Sequence, residues 1–99
     1  MRVGLRYFDG CSNWQLLDAR LHQAFDVLGV HPPVTHELVE TPEEAARLEF
    51  RGSPTLLVDG EDPFADQAGS VGLSCRIYRT ESGPQGTPSV AQLVMALAR

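Results

Sequence analysis

Two side chains in this chain carry strong nucleophilic chemistry, the thiols of Cys11 and Cys75. Cys11 opens the run Cys11-Ser12-Asn13-Trp14, just ahead of a stretch with helical periodicity. A thiol at a helix N-terminus faces unsatisfied backbone N–H groups and the positive end of the helix dipole, and both favour the thiolate. The thiolate is the nucleophile, so the position suits a reactive cysteine; the alternative is a small buried side chain. Trp14 follows three residues later on the same helix face and begins the apolar stripe. It is expected as core or pocket wall, with stacking on a substrate as the alternative.

The remaining polar residues show no second chemistry. His22, His31 and His36 lack the spacing of a zinc site, and His22 lies too far along the helix to act as a base for Cys11. Asp59, Glu61, Asp62 and Asp66 could ligate a hard cation, but without the EF-hand spacing they are expected as a solvated loop. There is no P-loop, dinucleotide fingerprint or G-x-S-x-G. No cofactor and no metal are implied.

The elements that must position the thiols follow from periodicity. Residues 2–8 place Val3, Leu5 and Tyr7 on one side of a strand, which Asp9-Gly10 breaks. From Cys11 to Leu28 the residues Trp14, Leu17, Leu21, Ala24, Phe25 and Leu28 recur at helical steps, and Gly29 and Pro32-Pro33 end the run. Residues 34–40 form a second strand. Thr41-Pro42-Glu43-Glu44 starts a short helix, with Thr41 as N-cap, Pro42 in the first turn and Glu44 completing a capping box; it runs to about Glu49. Thr55-Leu56-Leu57-Val58 is a third strand, 60–74 a long loop, and Cys75 to Arg79 a fourth strand. Thr87-Pro88 is expected to open a last helix that buries Val90, Leu93, Val94 and Leu97. The order β-α-β-α-β-β-α implies an α/β fold with a four-stranded mixed sheet and helices on both faces. Its first two strands are expected parallel and its last two antiparallel.

Length and composition agree with one ordinary domain spanning 1–99: 99 residues, 42% hydrophobic, with eight basic residues, all arginine. A net charge of −5 with scattered arginines argues against nucleic acid as a partner. No apolar run approaches the ~20 residues that span a bilayer, so no membrane partner is expected. The N-terminal segment has no signal-peptide pattern, so the chain is expected to be cytoplasmic, where a free thiol is the usual state of cysteine.

With Cys11-Ser12-Asn13-Trp14 between first strand and first helix, and Gly52-Ser53-Pro54-Thr55 opening the third strand, the chain resembles the thioredoxin-like superfamily over nearly its whole length. The resemblance implies a cis Pro54 facing Cys11, with Ser53 offering main-chain groups to an extended substrate by strand addition. It marks Cys11 as catalytic and places Ser12, Asn13, Trp14, Ser53 and Pro54 at the substrate. The chain departs from the family where Trp14 replaces the second cysteine of C-x-x-C and Leu5 stands at the position of a buried carboxylate. Asp9 would oppose thiolate formation and is expected as a turn former. Cys75 is the one possible resolving thiol, but the expected fourth strand starts at the end of the sheet away from Cys11. A separation beyond about 7 Å between Cα atoms forbids a bridge, so Cys75 is expected as a buried structural cysteine unless the 60–74 loop folds back.

Three functions fit these residues. One is a single-thiol protein in which Cys11 exchanges with a protein disulfide or a low-molecular-weight thiol through a mixed disulfide. Another is a non-catalytic binding module on the same fold. The third is soft-metal thiolate chemistry of the alkylmercury-lyase kind, which requires Cys11 and Cys75 to be close.

Overall fold

The structure, a computed structural model, describes residues 1–98. Strand β1 (Val3–Tyr7) runs into helix α1 (Asn13–Leu28), followed by β2 (Val34–Leu38), α2 (Pro42–Leu48), β3 (Arg51–Ser53) and β4 (Thr55–Val58). After a single 3-10 turn at Ala65–Gln67 come β5 (Gly72–Cys75), β6 (Tyr78–Thr80), β7 (Gly83–Gln85) and helix α3 (Val90–Leu97).

The fold is mixed α/β. Its main sheet has the order β2-β1-β4, with β1 parallel to β2 and antiparallel to β4. Alternation along β1 turns Val3 and Leu5 inward, where they meet Leu17, Leu21, Ala24 and Phe25 of α1, Leu56 of β4, and Leu93 and Leu97 of α3. The first β-α-β unit thus forms as its periodicity predicts. Gly29, in the left-handed region at φ 70°, ends α1.

Helix α2 begins at the expected N-cap, with the Thr41 hydroxyl accepting from the Glu44 N–H at 3.1 Å and Pro42 at its start, but the expected capping box does not close: the Glu44 carboxylate accepts from the Thr41 hydroxyl at 3.4 Å. Its buried residue Ala45 packs with Val39 and Phe50 in a second, smaller cluster that Phe8, Leu48 and Leu73 border. It meets the far side of the main sheet where the Arg6 guanidinium donates to the Leu48 carbonyl at 3.4 Å. Beyond that contact lies a cavity of about 390 Å³ lined by Gly4, Arg6, Thr35, Glu37 and Leu57, among others.

Three expectations need correction. The main sheet has three strands among the described residues, because the expected fourth strand does not join it: Tyr78–Thr80 pairs with Gly83–Gln85 as a separate hairpin. The alternation read from Cys75 to Arg79 is real, but it faces Cys75 and Ile77 outward and Arg76 and Tyr78 inward. The 60–74 segment is not all loop: its last residues form β5, which pairs parallel to β3 in a two-stranded sheet of their own. Finally, α3 is capped by Ser89 rather than Thr87. The Ser89 side chain and the Gln92 side chain close a full capping box, while Thr87 is buried and accepts from the Arg20 guanidinium at 2.7 Å.

Candidate functional site

The first strand delivers the site through a tight turn, in which the Cys11 N–H donates to the Phe8 carbonyl at 3.2 Å. Ser12 is the N-cap of α1, exposed and without a side-chain cap bond. Cys11 therefore sits one residue before the N-cap, near the helix N-terminus as its spacing predicts, and is 3% exposed. Asn13 begins the helix at the half-buried rim of the site.

Opposite Cys11 lies the turn between β3 and β4. The Ser53–Pro54 peptide bond is cis, as the resemblance implied. The Ser53 hydroxyl accepts from the Phe8 N–H at 3.2 Å, which ties this turn to the end of β1. Cys11 Sγ is 3.6 Å from the Ser53 carbonyl oxygen. Gly52 has φ +112°, and a Cβ there would stand 2.9 Å from the Arg76 Cβ, so only glycine lets β5 pass this close.

The expectation that geometry isolates Cys75 is overturned. Ser53 and Cys75 are register partners between β3 and β5, and the Arg76 N–H donates to the Ser53 carbonyl at 2.8 Å. This pairing folds the long segment back over the turn and brings the two cysteines together. Cys11 and Cys75, 64 residues apart, form a disulfide with a Cα–Cα distance of 5.8 Å, so neither is a free thiol. Cys75 is exposed rather than buried. Ser53 and Pro54, expected at the substrate, are both buried, and the Ser53 carbonyl is engaged by the Arg76 N–H.

Trp14 is half-buried and stacks on Tyr7 with ring centroids 4.5 Å apart, while His36 meets its edge at 6.0 Å. It packs against the main core, the first of its two expected places. His36 bonds Asp18 at 2.9 Å, His22 approaches the same carboxylate at 3.8 Å, and His31 pairs with Asp26 at 3.9 Å. Among the described residues no three His, Cys, Asp or Glu side chains form a metal-binding group.

The residue that secures Cys75 carries no motif. Arg76 is 3% exposed, and its guanidinium donates to the Asp62 carboxylate at 2.7 Å, the Phe64 carbonyl at 2.6 Å and the Thr55 hydroxyl at 3.3 Å. It lies 4.6 Å from the centre of the Tyr78 ring. Asp62 is thus the partner of a buried cation rather than one of a solvated acidic cluster. Tyr78 donates its hydroxyl to the Pro54 carbonyl, and burial pushes the phenol well above its usual range, with Arg76 opposing the shift. The one sequence signal for this arrangement is an arginine in step with Tyr78 on the alternating run. On the other side Arg20 donates to Gln85, Thr87 and the Pro88 carbonyl, fixing the approach to α3.

Comparison with family models, with curated proteins and with solved structures gives no match to this chain. Among the described residues no helix is long and apolar enough to cross a membrane.

Proposed function

We propose that the chain carries out thiol–disulfide exchange through the Cys11–Cys75 pair on a thioredoxin-like scaffold. The observation that carries this reading is the pair itself: two distant cysteines joined beside the Ser53-Pro54 turn, one buried ahead of a 16-residue helix and the other exposed. A purely structural link gains nothing from placing one sulfur at a helix N-terminus, whereas an exchanging link gains a stabilised thiolate. The scaffold reading draws support from the strand order β2-β1-β4 and from α1 and α3 sharing one core. The reading replaces the single acting thiol with a dithiol whose second member comes from β5. It keeps the cytoplasmic expectation, since disulfides in that compartment are usually transient and catalytic or redox-sensing.

The test is transfer of the bond to a reduced dithiol peptide. Oxidised protein should oxidise the peptide stoichiometrically, and Cys11→Ser and Cys75→Ser should each abolish the transfer. A bond that stays closed in buffers as reducing as about −300 mV would mark a structural staple and end the proposal.

A further inference from the structure

The two sulfurs of the bond differ in access. Cys11 is 3% exposed, with its sulfur 3.6 Å from the Ser53 carbonyl oxygen. Cys75 is exposed at the end of β5, and the next outward residue, Ile77, is 66% exposed. A thiolate attacks a disulfide along the S–S axis, from behind the sulfur it will bond. Solvent reaches Cys75 and is nearly excluded from Cys11, so attack is favoured at Cys75.

The sulfurs differ in leaving ability as well. Exchange is faster when the departing thiol has the lower pKa. Cys11 lies two residues before the first residue of α1 and feels the positive end of that helix. Cys75 ends a strand and has no such support. Access and leaving ability point the same way.

We infer that the disulfide opens in one direction: the thiolate of a low-molecular-weight thiol attacks Cys75 Sγ, and Cys11 departs as the thiolate. This rests on the exchange reading above and specifies its point of entry. In the first step the Cys11–Cys75 bond breaks and a bond between Cys75 and the incoming sulfur forms; Cys11 carries away the electron pair. A second small thiolate then attacks its counterpart in the mixed disulfide and releases Cys75 as thiolate. Two small thiols are oxidised to one disulfide, the protein pair gains two electrons, and the two protons end on Cys11 and Cys75. A small thiol suits the site because the flanking backbone is taken: the Ser53 carbonyl accepts from Arg76 and β5 is paired with β3.

The cysteines fall on separate tryptic peptides, Tyr7–Arg20 and Gly52–Arg76, so the direction can be read directly. Oxidised protein is exposed to excess glutathione, quenched with iodoacetamide, digested and analysed by mass spectrometry. The expected product carries glutathione on Gly52–Arg76 and carbamidomethyl on Tyr7–Arg20, in at least about tenfold excess over the reverse. An equal or reversed distribution overturns the inference and leaves the exchange reading standing. A cross-linked peptide pair that survives excess glutathione overturns the exchange reading, and the inference with it. Where both cysteines are alkylated and no adduct accumulates, the single-cysteine variants decide. Cys11→Ser should then be conjugated by glutathione disulfide at least about tenfold faster than Cys75→Ser, and the opposite order overturns the inference.

Discussion

Opening the Cys11–Cys75 bond should cost the protein about 4 kcal/mol of stability at 25 °C, because the bond closes a loop of 64 residues in the unfolded chain. Cys75→Ser is the clean perturbation. Cys75 is exposed, so a serine there loses little native packing and the change acts through the unfolded state. Cys11→Ser is not clean, since it places a hydroxyl where the residue is 3% exposed and adds a burial term of its own. The folded state should survive the loss of the link. Arg76 to Asp62, Phe64 and Thr55, and Tyr78 to Pro54, hold the same segment through contacts that do not involve sulfur.

Urea titration followed by tryptophan fluorescence measures the effect, since Trp14 is the one tryptophan and packs on the core. With an m-value of about 1.5 kcal/mol/M, the midpoint should fall by about 2–3 M in Cys75→Ser. The native protein in excess reductant should fall by the same amount, and m should rise in both as the unfolded chain expands. A loss below about 1 kcal/mol, with m unchanged, would refute the reasoning: the link would not be constraining the unfolded chain.

Three further outcomes follow from the same contacts. Asp62→Ala strands the buried Arg76 charge and should cost about 3 kcal/mol in urea titration, whereas Asp62→Leu combined with Arg76→Met should cost clearly less. Ser89→Ala removes the α3 cap and should cost about 1 kcal/mol, while Thr41→Ala should do the same at α2; circular dichroism during unfolding reads both. Burial raises the Tyr78 phenol above its unfolded value, so its contribution is fully present below about pH 10 and lost as pH rises, because the unfolded phenol ionises first. Stability measured at pH 8 and pH 10.5 should therefore fall more steeply in the native protein than in Tyr78→Phe.

What local chemistry decides could be read before the structure. The alternation of Val3 and Leu5, the helical stripe from Leu17 to Phe25 and the Thr41-Pro42 cap each rest on a few neighbouring residues, whereas the cis bond before Pro54 was an implication of the resemblance. What escaped rests on partners far along the chain. Burying an arginine requires a carboxylate, and nothing near Arg76 in sequence names Asp62, which had an innocent reading in an acidic loop. The expected α3 start at Thr87 gave way to Ser89, whose capping box with Gln92 starts the helix, while the Thr87 hydroxyl accepts from Arg20, 67 residues earlier. The position of Cys75 turned on whether 60–74 would pair with β3, and the glycine that permits the pairing, Gly52, also belongs to an ordinary proline turn.

The placement of the second sulfur changes what the bond does for the fold. In a C-x-x-C motif both sulfurs share one helical turn, so opening the bond frees almost no chain. Here the third position after Cys11 is Trp14, held by its stacking on Tyr7, and the partner comes from a strand 64 residues later. Folding and bond formation are then linked. The ~4 kcal/mol that the bond adds to folding is, by the same cycle, the amount by which folding favours the bond, about a thousandfold in the closure equilibrium. That linkage runs through the Ser53–Cys75 pairing, because this register sets the sulfurs within reach. Any change that loosens β5 from β3 should therefore weaken the bond without touching either cysteine. Gly52→Ala is the most direct such change, since its Cβ would stand 2.9 Å from that of Arg76.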